Sequence, residues 1–111
     1  MHQPFKVPLA KVQVKRRQGR LVLFIEGQRK EGVSQRILAL LECFLSHKGE
    51  IVPYELLPSV MESRSPYGPR FLHNLRQSIR ELKILFREER IDDYFAVAEF
   101  VGYGLFEVAE W

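Results

Sequence analysis

The sequence predicts an α+β domain in which an N-terminal antiparallel β-sheet leads into three helices and a C-terminal β-hairpin closes the chain. Three observations predict it. Residues 9 to 26 alternate or run apolar as strands do, residues 34 to 89 space their apolar side chains by three and four, and beyond Glu89 the period shortens again. A chain of 111 residues has the length of one domain with one core, so 1–111 is taken as a single unit whose first eight residues form a loosely ordered tail.

The elements follow in order. Leu9 to Arg16 alternates in part, and Arg20 to Glu26 is apolar and β-prone through Leu21, Val22, Leu23, Phe24 and Ile25. Arg17, Gln18 and Gly19 between them make a short polar turn, a hairpin signal. Gly27 to Gly32 is a second polar turn, with room for a third short strand before Val33. Ser34 is placed to cap a helix carrying Ile37, Leu40, Leu41, Phe44 and Leu45, and His47, Lys48 and Gly49 end it. Glu50 to Val52 is an extended link. Pro53 suits the first turn of a second helix with Leu56, Leu57, Val60 and Met61, but Pro58 removes a backbone donor, so that helix is short, kinked or split. Ser63 to Pro69 is a loop, in which Ser65 or Gly68 caps the third helix. After that helix, Asp92 and Asp93 mark its end, and strands on either side of a Gly102-Tyr103-Gly104 turn form the hairpin.

The third helix, Pro69 to Glu89, carries two faces. Leu72, Leu75, Ile79, Leu82 and Phe86 draw one apolar stripe, and Arg76, Arg80, Lys83 and Arg87 fall on its flank within an arc of about 60°. Asn74, Gln77 and Glu81 lie roughly opposite the stripe. A cationic edge beside a polar ridge suits a DNA major groove, with charge on phosphates and the ridge on base edges. The plainer reading is a solvated amphipathic helix.

Charge is distributed unevenly around a net +3. Residues 1 to 33 carry eight Lys/Arg against two Glu, and 70 to 90 six against three, whereas 91 to 111 carry no Lys/Arg and five acids. The basic parts favour polyanions and the acidic end repels them, so both do not lie on one phosphate backbone. Lys15, Arg16, Arg17 and Arg20 crowd the first hairpin tip, where a solubilising turn is a simpler reading than a nucleic-acid contact.

Strands, helix, short helix, long helix and hairpin make the order of a winged helix-turn-helix, with the hairpin as wing. Between Leu21 and Glu107 the Ser34-capped helix, the Gly49-Glu50-Ile51-Val52 link, the long third helix and Val101-Gly102-Tyr103-Gly104 resemble the OmpR/PhoB-type DNA-binding (effector) domain of bacterial transcription regulators. The resemblance implies a four-stranded N-terminal sheet, a recognition helix at 69–89, a loop between helices two and three that meets RNA polymerase, and head-to-tail binding on direct repeats. With Ile79 on the family's buried isoleucine, Asn74, Gln77 and Glu81 take base-facing places and His73, Ser78, Arg80 and Lys83 phosphate-facing ones. The chain departs from the family at Val101, where an Arg is usual, and at Leu105, Ile37 and Glu81, which replace Tyr, Glu and Arg.

The expected function is therefore sequence-specific binding of double-stranded DNA in transcription regulation, with RNA polymerase or another regulator as protein partner. The alternative is a winged-helix protein-interaction module with DNA binding reduced, and a homodimer through the N-terminal sheet fits either. Ile84 and Tyr103, both expected to be exposed, point toward partner contact. No catalytic, cofactor or metal role is expected: His2, His47 and His73 are scattered, Cys43 stands alone in an apolar run, and Gly102-Tyr103-Gly104 precedes a strand rather than a phosphate-binding helix. Neither a signal segment nor a membrane span is recognisable, and the expected location is cytoplasmic.

Overall fold

Strand β1 (Val12–Arg17) turns back on β2 (Arg20–Ile25) through Gln18 and Gly19, and β2 turns into β3 (Gln28–Lys30) through Glu26 and Gly27. All four turn residues hold positive φ, between 51° and 78°, the backbone hand that a two-residue hairpin needs to match strand twist. The computed structural model describes residues 7–61 and 68–107 of a compact α+β fold with three helices and two small antiparallel sheets. The first sheet has the order β1-β2-β3, three strands among the described residues instead of the four that the family resemblance implies.

Register divides the sheet's faces. Val12, Val14 and Arg16 pair with Ile25, Leu23 and Leu21 and face inward, and the opposite face carries Gln13, Lys15, Arg17, Arg20, Val22, Phe24 and Arg29. Two inward charges at the rim tie the sheet to helices: Arg16 reaches Glu42 at 3.4 Å, and Lys30 pairs with Glu89. Because β3 pairs only with Leu23 to Ile25, the edge of β2 at Leu21 would be bare. The Gln35 side chain fills the gap, its Oε1 accepting from the Leu21 N–H at 2.7 Å and its Nε2 donating to the Leu21 carbonyl at 2.9 Å. The expected loose tail ends sooner than residue 8. Residues 1–6 lie outside the described residues, but Val7 is buried and its carbonyl accepts from the Tyr94 hydroxyl at 2.7 Å.

Helix α1 (Gln35–Ser46) starts as its cap predicts, with Ser34 Oγ accepting from the Ile37 N–H at 3.3 Å. The link after it is a strand, β4 (Ile51–Pro53), rather than a bare connector. Pro58 has the expected effect: a 3-10 turn (Tyr54–Leu56) precedes a four-residue α2 (Leu57–Val60), with the proline in the first turn, where its missing N–H leaves no helical bond unmade. Helix α3 spans Pro69–Glu88. Gly68 occupies its N-cap position, and Ser65 lies outside the described residues. At the far end Arg90 takes φ 62°, Ile91 N–H bonds the Phe86 carbonyl at 2.8 Å and Arg90 N–H the Arg87 carbonyl at 3.0 Å, a Schellman closure. Asp92 then opens a 3-10 turn (Asp92–Tyr94) instead of ending the helix.

The second sheet has the order β4-β6-β5, with β5 (Phe95–Ala98) and β6 (Gly102–Leu105) forming the C-terminal hairpin. Its turn falls at Glu99, Phe100 and Val101, three residues earlier than glycine spacing suggests. Gly102 and Gly104 are strand residues facing Pro53 and Ile51, and a Cβ at either would overlap the carbonyl oxygen of Val52 or Glu50. Glycine here serves a close approach of backbones, and the positive φ of the turn is held by Phe100 at 66°.

One apolar core joins both sheets. Leu23 and Ile25 from the first sheet, Leu40, Leu41 and Phe44 from α1, Leu75, Leu82 and Phe86 from α3, and Leu105 from the second sheet are all at most 1% exposed. Phe95 bridges Phe44 and Phe86, with ring centroids 6.4 Å and 4.8 Å away.

Candidate nucleic-acid interface

The long helix presents most of the residues that its sequence singles out. His73, Asn74, Arg76, Gln77, Arg80, Glu81 and Arg87 are exposed, and Lys83 is half-buried. Ser78 is different: at 8% exposure it sits with the core and does not join the phosphate-facing set. The reason is the breadth of the buried face. Ser78 follows Phe71 by seven residues, about 20° around a helix, and Phe71 is 1% exposed, so both lie on a buried arc wider than the leucine stripe alone. Leu72, at the other side of that stripe, is half-buried.

Among the cations, Arg76, Arg80 and Lys83 have no carboxylate partner among the described residues, whereas Arg87 Nε lies 3.8 Å from Asp92 Oδ2. The free positive edge is thus the stretch from Arg76 to Lys83. Along the polar ridge, Gln77 Nε2 is 3.3 Å from His73 Nε2, an i,i+4 contact that orders both side chains on the solvent side. Glu81 is exposed but borders a cleft of about 420 Å³ that Ile84 and Leu85 share with Val33 and Ile37. The ridge therefore divides: its first half, with Asn74 and Gln77, stands clear, and its second half stands beside the link into α1.

The hairpin meets the buried face of the helix through Phe95 and Phe86, whose ring centroids are 4.8 Å apart. Tyr103, expected to be exposed, is 9% exposed, and its ring meets Tyr54 edge-on at 5.7 Å. Burial first, then the Tyr54 hydroxyl, pushes the Tyr103 phenol above its usual range, and Arg76 acts in the opposite sense. Away from Tyr103 the hairpin is apolar but for Glu99 and carries no Lys or Arg. Phe100 is 93% exposed at the tip, with Val97 and Val101 at 52% and 50%. Ile84 is exposed as expected, at 50%.

Sequence reasoning missed the Gln35 clasp, the burial of Phe71 and Ser78, and the Tyr54–Tyr103 pair. Only Phe71 left a signal, being an aromatic one place before the expected stripe. Comparison with protein-family models and with curated protein sequences finds no match to this chain. No helix of the described residues is long and apolar enough to cross a membrane.

Proposed function

We propose that the chain is a winged helix-turn-helix domain of OmpR/PhoB type that binds double-stranded DNA and regulates transcription, with α3 as recognition helix. The observation that carries this reading is the first half of α3, where Asn74 and Gln77 are exposed beside Arg76 and Arg80, which have no carboxylate partner among the described residues. Asn74 and Gln77 would meet base edges, for which adenine N6 and N7 are the natural partners of a side-chain amide. Arg76, Arg80 and Lys83 would supply phosphate contacts without sequence information, and His73 a further polar contact. Glu81, beside the α1 link, would contribute least. The loop assigned to RNA polymerase by the resemblance falls on residues 62–67, outside those described.

Selection from random duplexes at two salt concentrations tests the reading. It should return one preferred site. Arg80→Ala with Lys83→Ala should then weaken binding to all duplexes and reduce the slope of log affinity against log salt by roughly 0.9 for each lost contact. Gln77→Ala should change site preference and leave the slope alone. No duplex bound above background at low salt would end it.

A second reading has its own observation. A hairpin tip formed by Phe100, Val97 and Val101, beside Glu99 and without a cation, fits a protein partner better than a phosphate backbone. A winged-helix interaction module would retain a protein partner through this hairpin and show no operator footprint.

A further inference from the structure

We propose that the outer face of the N-terminal sheet binds single-stranded nucleic acid, at a site separate from α3 and independent of the duplex-binding reading. Strand register gathers Lys15 and Arg17 from β1, Arg20 and Phe24 from β2, and Arg29 from β3 on this face. None of the strand residues on it is acidic, and Lys15, Arg17 and Arg20 have no carboxylate partner among the described residues. Among the described residues Arg29 pairs only with the exposed Glu31, at 3.7 Å, a contact that solvent screens strongly.

The cations converge instead of spreading. Lys15 Nζ and Arg17 Cζ both lie 5.5 Å from the centroid of the Phe24 ring, so two like charges share one aromatic with no anion between them. Beside this cluster a cleft of about 550 Å³ opens between the short β3 and the α1 link, where Arg17, Arg20, Arg29 and Lys30 outnumber the one carboxylate, Glu31, over Val22 and Leu38. Its volume admits a nucleobase. A half-exposed aromatic, a neighbouring base-sized cleft and four surrounding cations are what an unpaired strand requires: charge for its phosphodiesters and apolar surface for its bases. A duplex keeps its bases stacked and would use the charge alone. On binding, Lys15 and Arg17 leave the ring for phosphates, and a base takes their place on Phe24. The acidic hairpin carries no cation and takes no part.

The probe is a fluorescent oligothymidylate of about twelve nucleotides, followed by anisotropy against a duplex of the same length and against phosphatidylserine vesicles. Arg17→Glu with Arg20→Glu should weaken single-strand binding at least tenfold and flatten its salt slope by about 0.7 for each lost phosphate contact. Phe24→Leu should weaken it about tenfold with the slope unchanged, since it removes stacking and no charge. Lys15→Glu with Arg29→Glu repeats the charge test should the first pair not fold, as judged by circular dichroism. Arg80→Ala with Lys83→Ala should leave single-strand binding intact, so failure of the α3 reading and failure of this one give different results. The proposal is overturned if the oligothymidylate binds the charge-reversed protein as it binds the original, if Phe24→Leu has no effect, if the α3 variant abolishes single-strand binding, or if only vesicles bind.

Discussion

Arg90 holds φ 62° immediately after the C-cap of α3, in the left-handed region where a Cβ meets the following carbonyl. Three effects compete in Arg90→Gly: relief of about 1–2 kcal/mol of strain, about 0.5–1 kcal/mol lost to the freer unfolded chain, and a few tenths lost with a cation near the helix C-terminus. The balance favours glycine by roughly 0.5 kcal/mol, so the urea midpoint should rise with an unchanged slope; a lower midpoint would show that chain entropy and the helix dipole together outweigh the strain. Cys43 is a second residue whose surroundings decide its behaviour. Burial, and secondarily the adjacent Glu42, raises its thiol pKa above the ordinary value, so the folded state favours the protonated form. Its contribution to stability is complete below the ordinary thiol pKa and is lost as pH rises through the raised one. At pH 8 iodoacetamide should modify Cys43 more slowly in the folded protein than in urea, and equal rates would contradict the shift.

Gln35 acts on a whole element, because its amide completes β2 where β3 has already ended. Gln35→Ala leaves the Leu21 N–H and carbonyl without their partners, at about 1–3 kcal/mol, toward the lower end because the site is part-buried and water can replace some of the loss. Gln35→Glu should be worse than alanine at neutral pH, since a carboxylate then faces the Leu21 carbonyl, and should recover in acid as the carboxyl regains a donor. Amide exchange at Leu21 measures both, and wild-type protection in Gln35→Ala would show that the clasp does not hold the edge. Elements of this size also set what a sequence discloses. The bodies of α1 and α3 are legible because period and chain punctuation agree, Ser34 being a cap by chemistry and Pro69 an opening by geometry. The C-terminal turn is not, since glycine usually marks positive φ but Gly102 and Gly104 answer a close strand, while Phe100 takes the strained place. For the candidate site, helical geometry alone placed Asn74, Gln77 and Arg80 on the outside, but Ser78 needed the width of the buried arc, which depends on what α3 packs against.

At the scale of the molecule, two small sheets of three strands each share one core. Helix α1 is the shared element: Leu38, Leu40 and Leu41 join the cluster that holds the first sheet's Leu21 and Leu23, and Phe44 meets Phe95 of the second. Phe44→Ala removes a side chain that is fully buried, a change that costs about 3–5 kcal/mol, a large share of the 5–15 kcal/mol that holds an ordinary domain. Phe44 touches the hairpin side directly, yet the loss should appear equally on both sides if the core is one cooperative unit. Native-state hydrogen exchange decides this, because protection of Leu23 in β2 and of Leu105 in β6 should fall by the same free energy. If Leu105 loses protection while Leu23 keeps it, the N-terminal sheet folds as its own unit, and its cationic outer face could then be altered without disturbing α3.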